Sequence, residues 1–461
     1  MAKRARKSDL VILANRLPVH RAKARDGWEV SPGGLVSALL PTLTRQTGVW
    51  VGWAGGTGTP PAPFEHEGFW NVAVELSESE FDNYYGGFSN RTLWPLYHDA
   101  CRPPLYHRRW WGPYLEVNKR FAEAASEVAA KGAVVLVQDY HLQMVPGMLR
   151  ELRPDLRIGF FLHIPFPPVE LFMQLPWRSQ LVEGLLGADV IGFQTKQAAQ
   201  NFIRLGQRLV GAKASRSVIE HKGRKSRAEA FPISIDVERL ESLCRDPKVI
   251  ARAAQVRHRL GNDRKILLGV DRLDYTKGID IRLRSMYDLL AKGTKTIDEA
   301  VLIQVSVPSR EDVDEYIELR SAVEELVGQT NGEFSEVGRM AVHYLRRSLP
   351  IDELAAFYLA ADVMLVTPLR DGMNLVAKEY VACRLEDTGS LVLSEFTGAA
   401  HELDRAILVN PHDVDGMAAG IAQALDMTLP EQQRRMKAMR TKVKRNTVFD
   451  WADRFVGALR D

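Results

Sequence analysis

Apolar residues come along this chain in short continuous runs separated by longer stretches of helical period, and that alternation sets the expected fold class. Runs at 10–14, 49–53, 134–138, 158–163 and 190–194 are largely apolar with little alternation, the pattern of strands covered on both faces in a parallel sheet. Helix-forming stretches at 114–131 and 168–186 lie between them, and an aromatic segment holding Tyr84, Tyr85 and Trp94 reads as a loop-rich insert. A basic, turn-rich passage at 221–227 leads to 231–236, either the last strand of a first domain or a linker. A second series follows at 266–270, 300–307, 363–367, 391–394 and 407–409, and a long polar helix closes the chain at about 430–459. The expectation is an α/β protein of two Rossmann-like, doubly wound parallel-sheet domains facing a central cleft. Residues 1–235 form the first domain, 236–440 the second, and 441–461 a helix crossing back to the first.

Length supports two domains, because 461 residues exceed what one hydrophobic core normally serves. Basic and acidic residues nearly balance at 61 and 58, so no nucleic-acid partner is expected and any anion site must come from local clusters. The run at 10–14 is too short for a signal-peptide core, and no segment approaches a membrane span. Cys101, Cys244 and Cys383 are scattered, without zinc-site spacing, as expected of reduced thiols in a cytoplasmic protein.

In open α/β sheets ligands gather beyond the carboxyl ends of the strands, so the residues after each run are the candidates. After 363–367 come Asp371, Gly372, Met373 and Asn374, and helix-forming residues resume at Leu375. Backbone N–H groups of 372–376 then lie at a helix start, available to phosphate or sugar oxygens. Glu379, one turn beyond Leu375, can accept from the hydroxyls of a ribose; an ordinary strand-to-helix turn with a solvated Glu379 has the same signature. Arg272 and Lys277 follow the run at 266–270, two cations able to reach one diphosphate without a metal, unless they form a surface basic pair with Asp271 and Asp274. Arg310 holds the same place after 300–307.

The first half offers a matching set. Arg16 follows the first run, and Gly33 and Gly34 precede a helical stretch from Leu35, where two glycines let backbone approach phosphate. Asp139 follows 134–138, and His163 sits in a turn stiffened by Pro165 and Pro167, as a working or a structural histidine. Tyr85 and Trp94 suit stacking on a sugar or core packing. The Asp312/Asp314 and Asp413/Asp415 pairs read as solvated surface carboxylates, so no metal is expected. The P-loop pattern, a Gly-x-Gly-x-x-Gly after the first strand and a Gly-x-Ser-x-Gly elbow are all missing, which argues against a P-loop kinase, a dinucleotide dehydrogenase and a serine hydrolase of that type.

Taken together, these motifs resemble those of the trehalose-6-phosphate synthases, retaining glucosyltransferases of the two-domain GT-B fold, over essentially the whole chain. The set comprises Asn15-Arg16, Gly33-Gly34-Leu35, Tyr84-Tyr85, Phe88-Ser89-Asn90, Leu93-Trp94-Pro95, Gln138 to His141, Gly159 to Pro167 and Arg272 to Gly278. The resemblance implies that Gly33, Gly34, Arg272, Lys277, Leu349 and the stretch Gly372, Met373, Asn374, Leu375, Val376, Ala377, Lys378 and Glu379 hold a nucleoside-diphosphate glucose, with Asp371 on its glucose. It implies that Arg16, Tyr85, Trp94, Asp139 and Arg310 hold glucose 6-phosphate, the two arginines on the phosphate, and that His163 lines the junction of the sugars. Arg272, Lys277, Asp371 and His163 would then be the catalytic set, acting by same-face displacement without metal or other cofactor, with domain closure excluding water. Leu349 falls near a position where many UDP-glucose-using relatives carry Phe, which leans the donor toward GDP-glucose over UDP-glucose. Two other readings carry less of the pattern: a pseudo-glycosyltransferase coupling cyclitols, against which Met373, Tyr85 and Trp94 speak, and a silent sugar-phosphate sensor, which need not keep the donor half. The chain carries no Asp-x-Asp-Gly-Thr phosphatase signature, so a separate trehalose-phosphate phosphatase is expected downstream; a homo-oligomer is compatible with the sequence.

Overall fold

The continuous apolar runs become strands of two parallel sheets, one in each of two units. The computed structural model describes residues 7–21, 27–31, 36, 39, 48–311 and 313–460. The first unit comprises Met1–Ile233 with Val448–Asp461, the second Ser234–Thr447.

In the first unit, β1 (Ser8–Arg16), β2 (Val49–Trp53), β3 (Phe69–Val74), β4 (Ala129–Gln138), β5 (Arg157–Phe161), β6 (Val190–Phe193) and β7 (Arg224–Ala230) form a parallel core in the order β3-β2-β1-β4-β5-β6-β7. Antiparallel strands extend both edges, Phe64–His66 beside β3 and Val218–His221, then Lys213–Ser215, beyond β7. In the second unit, β8 (Lys265–Arg272), β9 (Ala300–Val307), β10 (Val342–Leu345), β11 (Val363–Val366), β12 (Ser390–Ser394) and β13 (Ile407–Val409) are all parallel, ordered β10-β9-β8-β11-β12-β13. Each sheet starts at its centre, winds one way and returns to wind the other, so a crevice opens at the carboxyl ends of β1 and β4 and of β8 and β11. Among the described residues no helix is long and apolar enough to cross a membrane.

Three local expectations are corrected, and at a fourth place the structure decides between two alternatives. The basic passage at 221–227 belongs to an antiparallel ribbon: in β7 the small residues Ser226 and Ala228 turn inward and Lys225, Arg227 and Glu229 alternate with them on the other face, a period of two that the basic side chains mask. Residues 231–236, expected as a last strand or a linker, are the linker: they form no strand, and the boundary between units falls after Ile233. The aromatic insert is helical: Glu78–Glu80 leads into a π-helix at Phe81–Leu93 and an α-turn at Trp94–Tyr97. Its glycines and the Ser89-Asn90 pair lower helix propensity and hid the periodicity. The long last helix is two, Leu429–Arg445 and Val448–Arg460, and the second belongs to the first unit, where Trp451, Phe455 and Leu459 are buried. Arg157 and Arg227 donate to its final carbonyls, Leu459 at 3.1 Å and Ala458 at 2.9 Å.

Candidate active site

In the second unit β8 ends at the exposed Arg272, and the chain turns through Tyr275–Lys277 to Gly278, which opens the helix Ile279–Ala291 with φ of 60°. A side chain at Gly278 would meet the Thr367 carbonyl at 2.6 Å, and Leu369 N–H donates to the Thr276 carbonyl at 2.8 Å. This lacing of the turns after β8 and β11 brings Lys277 Nζ to 2.6 Å from Asp371 Oδ2, both side chains being largely shielded from solvent. Asn374 Nδ2 donates to the same oxygen at 3.1 Å, while its Oδ1 caps the helix Leu375–Cys383 by accepting from Ala377 N–H at 3.1 Å. A cation from one turn thus meets a carboxylate and a helix N-terminus from the other, the arrangement that suits a sugar joined to a phosphate. Gly398 closes the turn from below: a Cβ there would lie 2.0 Å from the Gly372 carbonyl oxygen.

Glu379 Oε2 accepts from the buried Tyr358 hydroxyl at 2.8 Å, and burial holds its carboxyl above the usual range. Lys378 is fully buried and its ammonium pairs with Glu402 at 2.7 Å, because the helix face it occupies packs inward. Met373 and Ala377 are buried, whereas Leu375, Val376 and, in the loop before Ile351–Ala360, Leu349 are half-buried.

Asp274 is no surface partner of Arg272. Fully buried, it accepts from Thr276 N–H at 3.0 Å, Thr276 Oγ1 at 2.8 Å and the Tyr316 hydroxyl at 2.9 Å, with Arg310 Nη1 at 3.5 Å. Burial alone would raise its pKa, but Arg310, Arg272, the Thr276 N–H and Lys277 outweigh it and hold the carboxyl down at about 2. Arg310 also donates to the Tyr316 hydroxyl, and of the five acceptor candidates it is the one in the second unit.

In the first unit Arg16 stands at the tip of β1 with its guanidinium 4.6 Å from the Trp53 ring centre and 5.7 Å from that of Tyr85. Tyr85 in turn stacks on His141 at 5.8 Å and 9° between planes. Its neighbour Tyr84 anchors the π-helix by donating to Asn15 Oδ1 at 2.8 Å. A cavity of about 680 Å³ lies beside Arg16, lined also by Arg21, Trp28, Trp53 and the loop 54–61. Asp139 follows β4 with φ of 71° and accepts from His163 N–H at 3.2 Å. His163 Nε2 lies 2.9 Å from Gln138 Oε1, and burial pushes its pKa down to about 3, so the ring is neutral. Trp94 is buried against His98 and Tyr140. Gly33 and Gly34 lie outside the described residues, as does Asp312.

Sequence reasoning passed over Tyr316 and Tyr358, and gave Gln138, quoted only within the motif Gln138 to His141, no role of its own. Only Gln138 carried a signal, its place at the end of a strand. Among the described residues no group of three or more His, Cys, Asp or Glu is placed to hold a metal ion. Of the Asp413/Asp415 pair, Asp413 caps the helix Val414–Leu425 and Asp415 meets Lys292 at 2.7 Å.

The profile of glycosyltransferase family 20 matches residues 8–461. A trehalose-6-phosphate synthase of Mycobacterium avium is 55% identical, over 98% of this chain and 96% of its own length. Among solved structures, the UDP-forming α,α-trehalose-phosphate synthase of Burkholderia xenovorans in complex with glucose-6-phosphate superposes with a TM-score of 0.89 at 36% identity, covering 98% of this chain and 99% of that one. The E. coli protein bound with UDP-2-fluoro glucose superposes with a TM-score of 0.91 at 34% identity and the same coverage.

Proposed function

This chain belongs to glycosyltransferase family 20, among the trehalose-6-phosphate synthases, and on that premise we propose that it moves glucose with retention from a nucleoside-diphosphate glucose to the anomeric hydroxyl of glucose 6-phosphate. The products are α,α-trehalose 6-phosphate and the nucleoside diphosphate, the former passed to a separate phosphatase. The observation that carries this reading is the cluster of Lys277, Asp371 and Asn374 at the start of the helix Leu375–Cys383. Lys277 and Arg272 meet the diphosphate, Asp371 the glucose hydroxyls, and Glu379 the ribose. In the first unit Arg16 takes the acceptor's phosphate, Tyr85 and Asp139 its sugar, and neutral His163 accepts or donates a hydrogen bond without adding charge.

Retention through a covalent intermediate needs a carboxylate poised as nucleophile. Asp371 is engaged by Lys277 and Asn374, and Glu379 by Tyr358, which favours displacement on one face instead. The bond from the anomeric carbon to the phosphate oxygen breaks as the acceptor oxygen bonds to the same carbon, and the acceptor's proton passes to the departing phosphate. Arg272 and Lys277 stabilise the charge growing there, so we propose that no metal is required. EDTA should leave the rate unchanged.

For the base, Leu349 leaves a purine more room than an aromatic side chain would, which supports GDP-glucose; the UDP complex of the E. coli relative makes UDP-glucose the alternative. Comparing kcat/KM for UDP-, GDP- and ADP-glucose decides between them. The activity itself is tested by nucleoside diphosphate release with and without glucose 6-phosphate: release that depends on the sugar phosphate supports the reading, and release without it, or none, overturns it.

A further inference from the structure

Arg282 lies on the helix that begins just after Lys277, and it is completely buried. Its Nη1 donates to Asp271 Oδ2 at 2.6 Å and to Gln304 Oε1 at 2.8 Å, and its Nε to Thr367 Oγ1 at 3.1 Å. Asp271 lies in β8, Gln304 in β9 and Thr367 directly after β11, three neighbouring strands of the sheet. One guanidinium therefore ties the end of β8 to the chain directly after β11, from which the candidate donor residues emerge, and anchors both to the middle of β9. Asp271 immediately precedes Arg272, Thr367 stands four residues before Asp371, and Lys277 lies five before Arg282 itself. β8 makes room for the arrangement at Gly269, where a Cβ would come within 2.3 Å of Gln304 Oε1 and 2.4 Å of Arg282 Nη1.

A buried ion pair is a poor device for stability, since desolvating both charges offsets most of their attraction, but it imposes a definite geometry on whatever it bonds. Only Arg presents a planar fork able to bond in several directions at once; a Lys ammonium in the same place reaches fewer partners. We propose that Arg282 is a positioning residue for the donor: it sets the relative placement of the turns bearing Arg272, Lys277 and Asp371. It does not touch substrate, and its role rests on the donor assignment made above.

Two variants separate positioning from folding. Arg282→Lys keeps the charge opposite Asp271, and Asp271→Asn combined with Arg282→Gln removes both charges together, so neither strands a buried ion. Both are expected to melt close to the parent protein. In both, kcat/KM for the nucleoside-diphosphate glucose should fall by about a hundredfold, the scale expected when reacting groups are displaced by about 1 Å. KM for glucose 6-phosphate should stay within about twofold, because Arg16, Tyr85, Trp94 and Asp139 lie in the first unit and Arg310 is held by Asp274 and Tyr316, not by Arg282. Gly269→Ala, which crowds the same guanidinium without changing any charge, should reproduce the loss. Donor kcat/KM close to the parent value in the folded Lys variant, or a loss falling equally on the acceptor KM, overturns the proposal; should the double variant not fold, the Lys variant decides alone. A parent protein that transfers no glucose refutes the donor assignment itself, so the two failures are distinct.

Discussion

Charges at strand ends act differently according to what surrounds them. Arg272 is exposed at the tip of β8 and Lys277 is held at 2.6 Å from Asp371, so both can meet an incoming diphosphate. Removing either as Arg272→Ala or Lys277→Ala should lower turnover by about 10²–10³, the cost of deleting a group that stabilises developing charge; near-normal nucleotide release from both would sink the assignment. His163 carries a pKa lowered to about 3 by burial, so it stays neutral across the physiological range. The pH profile of kcat/KM should therefore show no inflection from this ring between about pH 5 and pH 8, and a His163→Gln variant should keep the parent profile's shape. Asp274 has a folded pKa of about 2 against an ordinary 3.8. Because the folded value is the lower one, the unfolded chain binds the proton first. The stabilisation, about 2 kcal/mol, is present above about pH 4 and lost as pH falls toward 2. Urea midpoints of the parent and Asp274→Asn should consequently lie closer together at about pH 3 than at pH 7.

At the scale of elements, the π-helix Phe81–Leu93 does most to set out the candidate acceptor residues. Its bonding from i to i+5 is rare outside functional segments, and it carries Tyr84 onto Asn15 and Tyr85 beside Arg16. Gly87 lets this helix press against the Trp110 indole, where a Cβ would stand 2.6 Å from the ring. Gly87→Ala should therefore destabilise the chain by about 1–3 kcal/mol, read from urea unfolding, and raise KM for glucose 6-phosphate as Tyr85 shifts. None of this was legible as local pattern, because Gly86, Gly87, Ser89 and Asn90 are residues that an isolated helix avoids, and the helix is held by packing. The ribbon containing β7 escaped for a related reason: its alternation is of small against charged residues, without the apolar signal by which a strand is recognised. By contrast β2, β9 and β13 were read at their observed bounds, being continuous apolar runs that need no partner to be identified.

For the molecule as a whole, the chain returns at its end to the first unit, where the helix Val448–Arg460 buries Trp451, Phe455 and Leu459. A chain ending at Thr447 would lose those three side chains, each contributing about 1.5–3 kcal/mol, so its first unit should unfold at markedly lower urea and be cut sooner by protease. The two-sheet architecture was legible in the sequence because it follows from local composition: an apolar run must be covered on both faces, and alternation with helices makes the sheet parallel. So was the candidate status of Arg16, Asp139, Arg272 and Asp371, since the end of a strand can be read without knowing what lies beside it. Tertiary structure alone decided which charges are exposed and which are paired inside. Lys277 and Asp371 stand 94 positions apart yet share a contact, Lys378 turns to Glu402, and Arg282 gathers Asp271, Gln304 and Thr367. Such pairings depend on the order in which strands are laid side by side, and a charge has no fixed partner until that order brings distant segments together.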